Sequence, residues 1–472
     1  GGVNGILSAA MAVSWSGLKI CNFMVAKLQP FLHSDESKKI KSAKKLKKQS
    51  FCKLDFANFK ISSIFALYNH KEPRIYPMEA FYRTHAYLIE HTNAPVRRTL
   101  MDEIDWNDRL IGIKGTRGVG KTTFLLQYAK EKFGKDDRKC LYINMNNFFF
   151  QGRGIADFAG DFVAQGGRVL LIDQVFKEPD WSSQLRTCYD LYPELKIVFT
   201  GSSVMRLKEE NPEIGGIVKS YNLRGFSFRE YLNLQTGNSF RPYTLDEIIK
   251  DHEHIIKQIL PKASPVKHFQ NYIHHGFYPF FLEHRNFSEN LLKTMNMMIE
   301  VDVLFIKQIE LKYLAKIKKL FYLIAVDGPK TPNISKLAEQ VDTSRATVMN
   351  YIKYLADARL INIIYPVGED FPKKPTKIMM HNSNLMYAIY PQHTLRQDVM
   401  ETFFVNALWK DHTVNQVGKD NYYTVDGGQK FRICDAQMSN KLRYNNDTIY
   451  VRYNTEVGQG NKIPLWLLGF LY

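Results

Sequence analysis

LIGIKGTRGVGKTTFLLQY, Leu110 to Tyr128, decides how this chain is read. Leu110, Ile111 and Ile113 form an apolar run that predicts a strand. The strand leads into Gly115, Thr116, Arg117, Gly118, Val119, Gly120, Lys121, Thr122 and Thr123. An amphipathic pattern follows at once, with Phe124, Leu125, Tyr128 and Ala129 on one side of a predicted helix. Strand, G-x-x-x-x-G-K-T and helix in that order is the setting of a phosphate-binding P-loop. The glycines let backbone N–H groups curl around a phosphate. Lys121 can reach the β- and γ-phosphates of a nucleotide, and the Thr122 hydroxyl can hold Mg²⁺. The helix N-terminus adds partial positive charge at the same place.

The next chemistry lies on Arg168-Val-Leu-Leu-Ile-Asp173, an apolar strand that ends in a carboxylate. This Walker B pattern brings Asp173 to the strand's C-terminal end, where it joins Thr122 as a Mg²⁺ ligand. Gln174 follows where many ATPases of this architecture place Glu. Gln can hydrogen-bond the attacking water but is no carboxylate base. Nucleotide binding is therefore better supported than fast hydrolysis, whether Gln174 marks a slow ATPase or a trapping substitution. Lys121, Asp173 and Gln174 are the candidate catalytic residues. Leu195 to Ser203 is a further strand, whose Thr200, Ser202 and Ser203 are candidate γ-phosphate sensors or simple turn residues. Arg224 and Arg229 are candidate charge sensors or lid-packing residues.

Bulk properties bound the rest. The 472 residues carry 64 Lys+Arg against 47 Asp+Glu, a net +17 that favours an anionic partner. Cys21, Cys52, Cys140, Cys188 and Cys434 form no C-x-x-C pair, so no zinc site or disulfide framework is indicated. A reducing, cytoplasmic compartment is the expectation. Residues 1–77 read differently, and the opening Gly1 reads as a fragment or processed end. Ile6 to Val25 is apolar but interrupted by Lys19 and Asn22, a poor membrane span. His33 to Ser50 holds seven lysines and reads as a basic, solvated tail.

Met78 to Glu103 predicts a helix beside the P-loop strand. Tyr243 to Glu283 predicts helices around aromatic residues, and His268, His274, His275 and His284 lack metal-ligand spacing. Ala315 to Pro366 predicts three helices and a wing strand, with Ser335 capping the second helix. Arg345, Thr347, Asn350 and Lys353 lie on the third, where a reader of double-stranded DNA places its contacts. Such units also serve as lids or docking surfaces. In the tail, Glu401 and Asp426 match two acids of a restriction-type nuclease, which also needs an acidic-x-Lys triplet. The third position reads Asp435-Ala-Gln437, so an inactive nuclease-like fold is expected.

GTRGVGKTTFLLQYAKE, LLIDQVFKEPDW, LKIVFTGSS, LRGFSFREYL, HHGFYPFFLE and GNKIPLWLLGFLY together resemble a known family. It is the AAA-type P-loop ATPases of bacteria and archaea that carry a C-terminal domain of unknown function. The resemblance covers residues 78–472. It implies an ATP-binding core using Mg²⁺, a helical lid, a winged helix and a tail resembling the restriction-endonuclease fold. Gly215-Gly-Ile217 stands where members of the family it resembles often carry an Arg-Arg or Gly-Arg pair, a candidate arginine finger. Such a finger is worth about 10³-fold or more in rate. The tail also departs from the family's Glu-x-Gly-Gly-Lys stretch.

The expected architecture is α/β: a P-loop NTPase parallel sheet over 78–235, a helical lid over 236–312, a winged helix over 313–375 and a small α+β nuclease-like domain over 376–472. The expected function is a slow Mg-dependent ATPase acting as a nucleotide switch, with DNA met through Arg345, Asn350 and Lys353. The competing reading is a non-hydrolysing, nucleotide-bound scaffold; a DNA nuclease is the least supported. A neighbouring subunit could supply the missing finger, which would make an oligomer.

Overall fold

The computed structural model describes residues 78–283, 286–418, 421–437 and 444–472. The lysine-rich stretch and the apolar segment before it lie outside the described residues. Leu110–Gly115 (β1), Cys140–Asn144 (β2), Val169–Asp173 (β3) and Lys196–Ser202 (β4) are buried along nearly their whole length. Such continuous apolar strands suit a parallel sheet covered on both faces. With Lys219–Asn222 (β5) they form one sheet in the order β2-β3-β4-β1-β5, every pair parallel.

Met78–His91 (α1) is the first described helix. The helix expected over 78–103 breaks where Pro95 follows Asn93 and Ala94, because proline removes a donor and restricts the residue before it. A separate short turn then spans Leu100–Glu103. The main neighbours of α1 are β2 and the helix Lys121–Lys132 (α2), not β1. His85 on α1 accepts the Tyr142 N–H of β2 at 3.0 Å. Ile155–Ala164 (α3) and Trp181–Leu191 (α4) complete the crossovers.

Beyond the sheet come Phe228–Thr236 (α5), Leu245–Ile259 (α6), Pro265–Asn271 (α7) and Phe287–Met297 (α8). Ser227 and Thr244 open α5 and α6 with capping boxes to Glu230 and Glu247. Helices α7 and α8 each continue as a π-helical turn, Tyr272–Gly276 and Met298–Phe305. Leu314–Asp327 (α9), Ile334–Val341 (α10) and Arg345–Asp357 (α11) follow. The cap of α10 is Asn333 rather than Ser335: the Asn333 side chain accepts the Lys336 N–H at 3.1 Å. Ile361–Ile364 (β6) and Lys377–Met380 (β7) pair antiparallel. A boundary after residue 375 therefore cuts a hairpin, and β7 belongs with β6 rather than with the tail sheet.

The tail holds Ser383–Ile389 (α12), Arg396–Leu408 (α13) and the strands Val414–Gln416 (β8), Tyr422–Val425 (β9), Gln429–Asp435 (β10), Thr448–Tyr453 (β11) and Lys462–Pro464 (β12). Their order is β12-β11-β10-β9-β8. The closing turn Leu465–Phe470 packs back onto α5, with the Phe228 and Phe470 rings 6.3 Å apart. Tyr243 also donates its N–H to the Phe470 carbonyl at 2.8 Å. A single apolar core thus runs from α2 through α5 to α13.

Among the histidines, His274 stacks on Tyr387 with ring centres 3.7 Å apart. His275 packs against Tyr231 and Phe281. Burial lowers the pKa of both, as it does for packing histidines. His284 lies outside the described residues. Among the described residues no cluster of metal-binding type occurs, and no helix is long and apolar enough to cross a membrane.

Candidate nucleotide site

The P-loop needs two left-handed residues, and glycine supplies both: Gly118 has φ 85° and Gly120 φ 93°. Lys121 then opens α2. Its ammonium donates to the Gly115 and Thr116 carbonyls at 2.8 Å each, folded over the loop that it follows. Burial lowers its pKa to about 8, against the pull of Asp302 and Asp173.

Parallel strands end at one edge, so their terminal side chains meet there. Asp173 at the end of β3 is only 1% exposed. Its carboxylate accepts the Thr122 hydroxyl at 2.6 Å and the Tyr142 hydroxyl at 2.9 Å. The Thr200 hydroxyl of β4 donates to the other oxygen. Burial, then the Asp173 charge, pushes the Tyr142 phenol pKa up, which keeps it a donor. Gln174 sits in the left-handed region at φ 58° and donates its N–H to the Thr200 hydroxyl at 2.9 Å.

A cavity of about 460 Å³ opens in front of these groups. Arg117, Gly118, Gly120, Lys121, Thr122, Thr123, Asp173, Gln174 and Ser202 line it. Thr200 acts from behind, through Asp173 and Gln174. Val119 is buried, and its carbonyl accepts from Arg98 at 3.1 Å. Ser203 is turned away, its hydroxyl buried without a partner. Neither Arg224 nor Arg229 reaches the cavity. Arg229 donates to the Tyr472 and Phe240 carbonyls at 2.9 and 3.0 Å, and Arg224 to the Asn406 carbonyl at 2.6 Å. Arg98 does line it, as Arg117 does, and is held by a buried ion pair with Glu230 at 3.1 Å.

The P-loop is also gripped from outside. Arg117 pairs with Asp302 through two contacts of 3.3 and 3.4 Å. Thr116 donates to the Ala358 carbonyl just past α11 at 3.2 Å. Phe280 lies over Gly118, where an added Cβ would come within 3.0 Å of its ring. Sequence reading missed Asp302, Phe280, Tyr142 and Arg98. One signal was available for Asp302: it is an acid inside the apolar run MIEVDVLF. The other acid there, Glu300, pairs with Lys318 nearer the surface.

The remaining candidates stand apart. Arg345 and Asn350 are exposed on α11, but Lys353 is engaged, 3.2 Å from Asp357 and over the Phe371 ring. Glu401 accepts from Lys377 at 2.8 Å and from Tyr423. Asp426 accepts from His412 at 2.7 Å, and Asp435 from the Gln437 N–H at 2.9 Å. Each tail acid thus has its own separate partners. Gly215 is fixed by packing, since a Cβ there would lie 2.8 Å from the Lys208 carbonyl oxygen; Gly216 faces open space.

Residues 107–232 match the family described as an AAA domain, and residues 266–394 match a domain of unknown function. The first match covers β1 to β5, so the sheet that carries the P-loop is the part of the chain similar to an AAA domain. An uncharacterised protein of Methanocaldococcus jannaschii, MJ1637, is 28% identical over 290 residues, 57% of this chain and 59% of that protein. The chain therefore spans about 59% of the length of that relative. Among solved structures, the Aeropyrum pernix ORC1 protein in complex with DNA is 11% identical over 68% of this chain and 93% of that one, with a TM-score of 0.27. AMPPCP-bound DnaA from Aquifex aeolicus is 14% identical over 58% and 87%, with a TM-score of 0.20. C. elegans PCH-2 is 19% identical over 32% and 42%, with a TM-score of 0.20. Superpositions this loose carry no weight for fold or function.

Proposed function

We propose that this chain is a slow Mg²⁺-dependent ATPase that works as a nucleotide switch, with its α9–α11 and β6–β7 unit as a winged helix that meets DNA. The observation that carries it is the double attachment of one loop. Residues of the P-loop face the cavity, while its Thr116 and Arg117 hold Ala358 and Asp302. A loop that shifts to take a phosphate must strain or release both contacts. That links nucleotide to α11 without a long relay.

The donor set suits the group. The Thr122 hydroxyl and Asp173 carboxylate, 2.6 Å apart, are oxygen ligands of the kind Mg²⁺ prefers. Bound Mg²⁺ would neutralise charge on the β- and γ-oxygens. The chain's own residues do the rest. Lys121 exchanges loop carbonyls for phosphate oxygens. Thr200 and Tyr142 fix the orientation of Asp173. Gln174 orients water but takes no proton from it, which makes turnover slow. Arg345 and Asn350 are the DNA-facing residues, and Lys353 shapes the wing through Phe371.

ATP binding and steady-state hydrolysis, with and without duplex DNA and beside Lys121→Ala, test this. The switch predicts ATP binding, slow turnover and a change in DNA affinity with nucleotide, all lost in Lys121→Ala. ATP binding with no turnover and no effect on DNA would favour the scaffold reading, which Gln174 and the tightly packed Gly215 support. Absence of ATP binding would reject both.

A further inference from the structure

Outside the nucleotide cavity, two arginines near the P-loop have no carboxylate within ion-pair distance among the described residues. Arg359 follows Ala358, the residue whose carbonyl holds Thr116. Its guanidinium lies 3.7 Å from the centre of the Trp409 ring. Arg224, from the connection between β5 and α5, approaches the same ring at 5.8 Å. Among the described residues neither guanidinium has a carboxylate partner. One Arg224 nitrogen donates to the Asn406 carbonyl, but its Nη1 is buried with no acceptor. The nearest acid in sequence, Asp357, is paired with Lys353 at 3.2 Å. Burial and then the Arg224 charge lower the Arg359 pKa to about 10, against the pull of Asp357. Both charges, after burial, also hold His381 in its neutral form.

Two further facts mark Arg359 as more than filler. It occupies the left-handed region at φ 60°, just past the end of α11, where glycine is the usual residue. The chain keeps an arginine there despite the strain. A planar guanidinium presents a fork that fits a tetrahedral oxyanion, and a buried N–H left without an acceptor, as at Arg224 Nη1, is costly until an anion completes it.

We propose that Arg224 and Arg359, framed by Trp409, form a binding site for a phosphate-type oxyanion. The site is separate from the nucleotide cavity, which neither arginine lines. The bound anion is either free phosphate or a phosphate of a nucleic-acid backbone. Binding there would stiffen the Ala358–Arg359 turn and with it the hold on Thr116.

The test uses the full chain carrying Lys121→Ala, so that the P-loop does not bind the probe. Inorganic phosphate is titrated against chloride at constant ionic strength, reading Tm. A saturable rise is expected with phosphate, weakened at least tenfold in midpoint by Arg359→Lys and lost in Arg359→Gln and Arg224→Gln. In phosphate-free buffer Arg359→Gln should be no less stable than its parent, since it removes a repelling charge. A fluorescent DNA duplex supplies the second arm. Its displacement by phosphate assigns the site to a backbone phosphate; a retained Tm rise without displacement assigns it to the free anion. No saturable rise in the Lys121→Ala chain, or a rise that survives Arg359→Gln, overturns the proposal.

Discussion

Asp173 and Glu401 are both buried acids, 1% and 3% exposed, and each accepts a tyrosine hydroxyl, from Tyr142 and Tyr423. Their other partners separate them. Asp173 is held by hydroxyls and faces a cavity, so its charge stays available for a cation. Glu401 carries the Lys377 ammonium at 2.8 Å, with Gln397 on its second oxygen at 3.2 Å. Both acids sit where a motif places them. A site differs from a core ion pair in whether charge is left uncompensated in front of a space.

The sharpest way to break this comparison is Glu401→Ala. It leaves the Lys377 ammonium buried without a partner, and such a loss costs roughly 3–5 kcal/mol. A large drop in denaturant midpoint is expected, with ATP affinity unchanged in the fraction that folds. Lys377→Met with Glu401→Gln should recover most of the loss, since a neutral pair avoids the stranded charge. Recovery failing in the double variant would mean the pair does more than fill the core.

Gln174→Glu probes the other side. A carboxylate beside Asp173 restores a base, and general-base groups contribute about 10²–10⁴ in rate. Turnover should rise toward the lower end of that range, with nucleotide affinity little changed. No rise would move the defect to the missing finger. Gly216→Arg is then the variant to add, because Gly215 has no room for a side chain.

The pH dependence of ATP binding is a smaller effect with a definite sign. Burial lowers the Lys121 pKa to about 8 in the free protein, and a bound phosphate raises it again. Binding then takes up a proton above pH 8. Affinity should be level below that pH and fall by up to about tenfold per unit above it. Titration calorimetry in buffers of different ionisation enthalpy reads the proton uptake directly. Lys121→Met should bind weakly, and the Lys121 step should be missing from its profile.

How far the sequence was legible follows the range of the interactions. Lys121, Thr122 and Asp173 belong to motifs whose spacing encodes a strand, a loop and a helix, so their meeting could be read in advance. Thr200 was legible because its strand neighbours β3 in the sheet. Asp302 and Ala358 touch the P-loop across more than 180 intervening residues, and no local pattern carries that pairing. Type and position leave Arg224 and Arg229 open between charge sensing and packing; both donate to backbone carbonyls of the tail, and neither lines the nucleotide cavity. Ser335 lost the cap of α10 to Asn333 because either side chain can accept the free N–H groups of a first turn, and only the position of that turn decides between them.

Asp426 gives the smallest effect and tests the comparison from the nuclease side. It is half exposed, with His412 at 2.7 Å and the Thr413 N–H at 2.8 Å. Burial raises its pKa, but those two hydrogen bonds outweigh it and hold the carboxyl below the usual range. A carboxyl held low in the folded state stabilises above its unfolded pKa, and that gain is lost as pH falls through the folded value. The pair is exposed, so Asp426→Asn should cost under about 1 kcal/mol at neutral pH and nothing in strong acid. Neither the parent nor the variant should nick plasmid DNA with Mg²⁺ or Mn²⁺, because the acids of the tail have separate partners. Metal-dependent nicking lost in Asp426→Asn would show that these acids can be drawn together, and the contrast with Asp173 would fail.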